Sequence, residues 1–257
     1  MAVDSQGYIT QPTRNKIQPA FSGVVADLVR RLPCCFPEQI HSLYLYGSVA
    51  EGRATVGRSD LDVSLIFNGE PDEQTAQHLA RIKSELEIDH PVVSKIDFDC
   101  GLLQQALHPD NRLSWGYWLR HHCVCVYGED LSQRFRAFTP SKAIALALNS
   151  DFPTVVTELM AQRQASGDEN RKLLLQRAVA RKLIRATSIL RDEQDTDWPE
   201  TLTEHSDKFI LRYPALAGEM NYLMKMAHPP YDEETTFEKR VMAFAGCLDV
   251  AFRKPQN

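Results

Sequence analysis

The sequence predicts an α+β protein: a mixed sheet with flanking helices over residues 1–135, then a helical bundle over residues 136–257. Three observations predict it. Short alternating runs bounded by turn residues recur in the first half. From Pro140 onwards such runs vanish, and apolar residues recur at helical spacing. With 257 residues, the chain is long enough for one large domain or two of roughly 100–150 residues each.

Phe21, Val24, Val25 and Leu28 recur at helical spacing, and Pro33 is expected to close that helix. His41 to Gly47 alternates and then turns apolar, as a strand entering a core does. A glycine-rich polar loop follows from Ser48 to Ser59. Leu61 to Phe67 is a second strand, ended by the turn signal Asn68-Gly69. Residues 72–88 put Ala76, Leu79 and Leu86 on one helical face, with Pro91 ending the element. Val92 to Cys100 reads as a third strand, in which Asp97 and Asp99 alternate with Ile96 and Phe98. A helix around Asn111–Arg120 leads to a short strand, Val124–Tyr127, and a turn at Gly128.

In the second half, Lys142–Arg163 is helical in composition. Asp168–Arg191 is the clearest helix, its Leu175, Val179, Leu183, Ala186 and Leu190 forming an apolar line. Two more helices are expected at Leu216–Ala227 and Glu233–Phe252, punctuated by Pro229-Pro230, with the last residues frayed.

Composition narrows the class. Hydrophobic content of 43% and charged content of 25% are ordinary for a soluble protein. No run approaches the roughly 20 apolar residues of a membrane span, and the polar stretch Met1–Gly7 does not read as a secretory signal. A cytoplasmic location is expected. Residues 1–135 hold 12 basic and 17 acidic side chains, and the remainder 17 of each. That balance lacks the basic footprint of a nucleic-acid binder. Six cysteines show no framework spacing and read as thiols. His121-His122-Cys123-Val124-Cys125 holds zinc-type ligands, but a one-residue gap between cysteines is a poor chelate and suits a buried strand better.

The chemistry concentrates between Tyr46 and Asp62. A strand delivers the chain to Gly47-Ser48, where a residue without a side chain lets a phosphate approach the backbone and the Ser48 hydroxyl can donate to it. Asp60 and Asp62, two apart on a strand, point to one face. Two such carboxylates repel unless a cation sits between them, and magnesium takes oxygen ligands together with substrate phosphates. A third carboxylate from a neighbouring strand would complete a two-metal site. Asp97 and Asp99 are both candidates, and Asp97, mid-strand behind an apolar residue, is preferred. Arg53, in the loop after Ser48, is a candidate phosphate contact. Arg177, Arg181 and Arg185 form a stripe every four residues, although such stripes are more often solvated helix faces. Trp115, Tyr117 and Trp118 can stack on a base, but aromatics at helical spacing are more often core.

Gly47-Ser48, eleven intervening residues and then Asp60-x-Asp62 resembles the signature of the DNA polymerase β-like nucleotidyltransferase superfamily. The string GSVAEGRATVGRSDLDVSLIF is similar to its small bacterial members, including streptomycin/spectinomycin adenylyltransferases, as are the helical second half and the Val126–Leu131 junction. The resemblance implies that Asp60, Asp62 and a third acid, here Asp97, bind two magnesium ions. It implies further that the third acid helps deprotonate an attacking hydroxyl. ATP or another nucleoside triphosphate would be the donor and a small molecule, with an aminoglycoside as the nearest analogue, the acceptor, with residues 136–257 on the acceptor side of the cleft. One departure stands out: a glutamate is expected as third acid among the aminoglycoside enzymes, and this chain has Asp97. The same residues admit two further functions: transfer to a protein or RNA acceptor, and a non-catalytic nucleotide- or partner-binding module such as an antitoxin. The large helical half counts against an antitoxin.

Overall fold

The computed structural model describes residues 3–228 and 236–253. The backbone packs into two compact units, one spanning Ile9–Phe138, the other joining the chain up to Tyr8 with the chain from Thr139 onwards. The α+β class expected from the sequence is borne out.

In the sheet unit, helix α1 (Ser22–Cys35) buries Val24, Val25, Leu28 and Leu32. Pro33 lies inside it rather than closing it, and the helix ends two residues later. Strand β1 (Ile40–Tyr46) ends in a single helical turn, α2 (Gly47–Ala50). Strand β2 (Leu61–Phe67) matches its expected bounds, and helix α3 (Glu73–Asp89) is capped by the Asp72 carboxylate, which accepts from the Thr75 N–H. The buried face of α3 is Thr75, Leu79, Ile82 and Leu86, with the expected Ala76 exposed instead. Strand β3 (Ile96–Leu102) starts four residues later than expected, since 92–95 is largely turn: the Gly57 N–H binds the Val92 carbonyl and the Ser94 N–H the Ser59 carbonyl. A short turn, α4 (Leu103–Ala106), follows. The helix expected near residues 111–120 is broken into a π turn, Arg112–Gly116, and α5 (Tyr117–His121). Strand β4 (Val124–Gly128) completes the sheet.

The sheet order is β3-β2-β1-β4, with β2 and β3 parallel and the other pairs antiparallel. One face, with Leu43, Leu45, Leu61, Val63, Leu65 and Ile96, packs against α1 and α3. On the other, Tyr44 and Ile66 are covered by Leu119, Trp115 and Trp118. The candidate acids Asp62 and Asp97 lie at the starts of β2 and β3.

In the helical unit, the expected element Lys142–Arg163 is two helices, α6 (Lys142–Asn149) and α7 (Phe152–Ala165), because Pro153 at the start of α7 forces a new N-terminus. Helix α8 (Glu169–Ala186) is capped by Asp168, and Leu175, Val179, Leu183, Ala186 and Leu190 are all buried as the spacing implied. Helix α9 (Leu202–Arg212) was not anticipated, although Thr201 and Glu204 form a capping box at its start. Helices α10 (Ala217–Met226) and α11 (Phe237–Arg253) complete the unit. The punctuation expected at Pro229-Pro230 and the frayed terminus lie outside the described residues. Among the described residues no helix is long and apolar enough to cross a membrane.

Candidate active site

Register builds the site. In the parallel pair, Asp62 stands opposite Asp97 and Ser64 opposite Asp99; in the antiparallel pair, Tyr46 stands opposite Asp62. Cross-strand partners share a sheet face, so Tyr46, Asp62 and Asp97 form a row, and Asp99 lies one step along it. Asp60, just before β2, lies two residues from Asp62.

Gly47 serves this row directly. Its φ is +68°, and a Cβ there would overlap the Asp62 carboxylate. The glycine predicted to admit a phosphate is thus also required by the acid beside it. Gly52, at φ +75°, likewise has no room for a side chain, because the Lys16 carbonyl passes against it. The turn α2 and its loop are further tied by the Arg53 N–H, which donates to the Ser48 carbonyl at 3.0 Å. The Arg53 guanidinium is mostly exposed and pairs with Glu51.

The electrostatics are those of crowded anions. Burial, reinforced by the Asp60 and Asp97 charges, pushes the Asp62 carboxyl up to about 6. Burial and the Asp99 carboxylate, which accepts from the Tyr46 hydroxyl, hold that phenol well above its ordinary range. Two lysines answer this charge. Lys95 Nζ lies 2.5 Å from Asp97 Oδ2 and 3.5 Å from Asp60 Oδ2. Burial would lower the Lys95 pKa, but its bond to Asp97 and the Asp60 charge raise it. Ser94 donates its hydroxyl to Asp60 Oδ1 at 2.5 Å, and Lys83 Nζ lies 3.8 Å from Asp97 Oδ1. Lys95, Ser94 and Tyr46 were not singled out from the sequence. Lys95 was legible in principle, since it precedes Asp97 by two residues and so shares its strand face.

Among the described residues no three His, Cys, Asp or Glu side chains already converge as a metal cage. The donor set nevertheless suits a hard divalent cation: it is all oxygen and mutually repulsive, and two of its members, Asp60 and Asp97, already pair with an ammonium. The zinc-type residues are otherwise engaged. His121 Nδ1 donates to the Thr10 carbonyl, His122 contacts the Tyr117 hydroxyl, and Cys123 is buried. Trp115 packs over Gly101, and Trp118 stacks on His122 while meeting Tyr46 edge-on.

None of the candidate acids lies in the helical unit. There, Arg177, Arg181 and Arg185 all sit on α8, and Lys182 beside them pairs with Asp151 at 2.6 Å. A cavity of about 280 Å³ in this unit is lined by Arg191, His205, Lys208 and Arg212. Its cations are matched by acids: Arg212 pairs with Asp192 and Asp195, and Lys208 with Asp197. Burial and the nearby Arg185 charge lower His205 to about 4.

Residues 31–103, which contain every candidate acid, match the nucleotidyltransferase domain family. No curated protein matches the sequence. Among solved structures, the chain is similar in fold to spectinomycin adenyltransferase AAD(9) from Enterococcus faecialis, crystallised with ATP and spectinomycin. The TM-score is 0.56 at 11% identity, covering 90% of this chain and 99% of that one. The match of residues 31–103 to the nucleotidyltransferase domain agrees with the resemblance read from Gly47-Ser48 and Asp60-x-Asp62.

Proposed function

We propose that the chain is a magnesium-dependent adenylyltransferase, moving AMP from ATP to a hydroxyl of a small-molecule acceptor. The observation that carries this reading is the register of Asp62 against Asp97, with Asp60 beside them and the positive-φ Gly47 turn against Asp62. The likeness in fold to a protein crystallised with ATP and spectinomycin supports ATP as donor and an aminoglycoside-like acceptor.

In this reading Asp60, Asp62 and Asp97 are the metal ligands. Magnesium held by them would neutralise charge on the triphosphate and on the leaving pyrophosphate. The Gly47-Ser48 turn receives phosphate oxygens, with the Ser48 hydroxyl as donor and the exposed Arg53, paired with Glu51, as a counter-charge. The acceptor hydroxyl attacks the α-phosphorus in line with the bond to pyrophosphate, and Asp97 takes its proton. Asp99, committed to the Tyr46 hydroxyl, buttresses the row.

Calorimetric titration of the four nucleoside triphosphates, with and without magnesium, tests the proposal on the wild type and Asp60→Asn. ATP binding that needs magnesium and is lost in the variant is expected. Absence of binding by any triphosphate would refute the reading.

A further inference from the structure

Asp60 stands just before β2 and Asp97 lies on β3, and the Lys95 ammonium reaches both. Its backbone carbonyl accepts from the Leu61 N–H at 2.9 Å, which pins the lysine at the mouth of the β2–β3 pair. Its ammonium reaches Asp97 at 2.5 Å and Asp60 at 3.5 Å, the two outer acids of the proposed ligand set. The side chain is about half exposed, so nothing packs it permanently in place. A flexible cation bonded to carboxylates that a divalent ion would take is a competitor for that ion.

We infer that Lys95 is a resident counter-cation of the site: it neutralises Asp60 and Asp97 when no metal is bound, and yields them when the divalent ion arrives. The inference rests on the proposed metal role of Asp60 and Asp97. Two consequences follow from charge alone. Lys95 keeps metal affinity low in the absence of nucleotide. Once displaced, its ammonium remains tethered beside the acids, available to the anionic triphosphate, so metal and nucleotide bind better together than apart. The chain thereby avoids holding a metal ion idle, and Lys95 acts as a positioning residue rather than a reacting group.

Manganese alone, followed by the loss of its free-ion resonance signal, tests this on the wild type and on Lys95→Met, Lys95→Arg and Asp60→Asn. Lys95→Met should bind manganese about tenfold more tightly than the wild type, because one competing positive charge is gone. Lys95→Arg, which keeps the charge, should stay close to wild type, and Asp60→Asn should bind poorly. Calorimetry with ATP at saturating manganese should show weaker nucleotide binding by Lys95→Met, so the variant gains metal and loses nucleotide. General damage to the fold would weaken both. Lys95→Gln serves equally should the Met variant fail to fold. Equal or weaker manganese binding by Lys95→Met, with Asp60→Asn still defective, would overturn the role of Lys95 and leave the metal site standing. If wild type and Lys95→Met both failed to bind manganese, the metal site and the role of Lys95 would fall together.

Discussion

Asp62 and Asp97 stand opposite each other across the parallel β2–β3 pair, and the Tyr46 position flanks Asp62 from β1. Strand neighbours lie about 5 Å apart, so this register holds two carboxylates at the distance where a shared cation stabilises both and its loss makes them repel.

Removing one charge should therefore separate stability from activity. The Asp62 carboxyl titrates near 6 in the folded protein, against an ordinary value of 3.8. Between those values the folded chain keeps a proton that the unfolded chain has lost. Stability of the metal-free protein thus falls as pH rises through that window, and the cost persists above it. Asp62→Asn should abolish transfer yet melt about 2–4 °C higher than wild type at pH 8 for each 1 kcal/mol relieved, with the gain vanishing near pH 4. Thermal melts at the two pH values without added metal check the sign.

Gly47→Ala should be damaging twice over. A side chain at φ +68° carries strain of about 1–3 kcal/mol, and its Cβ would displace the Asp62 carboxylate. Denaturant unfolding reads the first effect. A fall in kcat of about a hundredfold, as expected for a misplaced reacting geometry, reads the second.

The third acid is decided by separate replacement. Asp97→Asn should cost about 10²–10⁴-fold in kcat, the range of a lost general base, and metal binding with it. Asp99→Asn should stay within about tenfold, because its role is a hydrogen bond to the Tyr46 hydroxyl that an amide oxygen can still accept. Steady-state rates at saturating triphosphate distinguish them, and equal losses would mean that both acids serve the metal.

In the helical unit, Arg191 is buried, donates to the Asp195 and Asp197 carbonyls at 2.6 and 2.9 Å, and lies 4.9 Å from the Trp198 ring centre. Arg191→Met should cost about 2–4 kcal/mol, since two carbonyls lose a charged donor and the cation–π contact disappears. Urea unfolding followed by Trp fluorescence measures it.

Local pattern carried much of this protein. The Gly47-Ser48 turn followed by Asp60-x-Asp62, the bounds of β2 and the apolar line of α8 are all properties of neighbours in sequence, and each stands where the residues implied. Misreadings came where one local signal met a competing one. Pro153 split a helix that composition made continuous, and the polar surface of α9 hid it despite the Thr201–Glu204 capping box.

What the sequence determined alone was the α+β class, the glycine turn and the acid pair at the entry to β2, because strand alternation and turn chemistry are short-range. Only the tertiary structure decided that Asp97 rather than Asp99 faces Asp62, that Tyr46 engages Asp99, and that Lys95 reaches both Asp60 and Asp97. Strand register is the physical reason. It is fixed by backbone bonds between segments more than 30 residues apart, and a shift of two residues would keep every side chain on its face while exchanging one acid for the other.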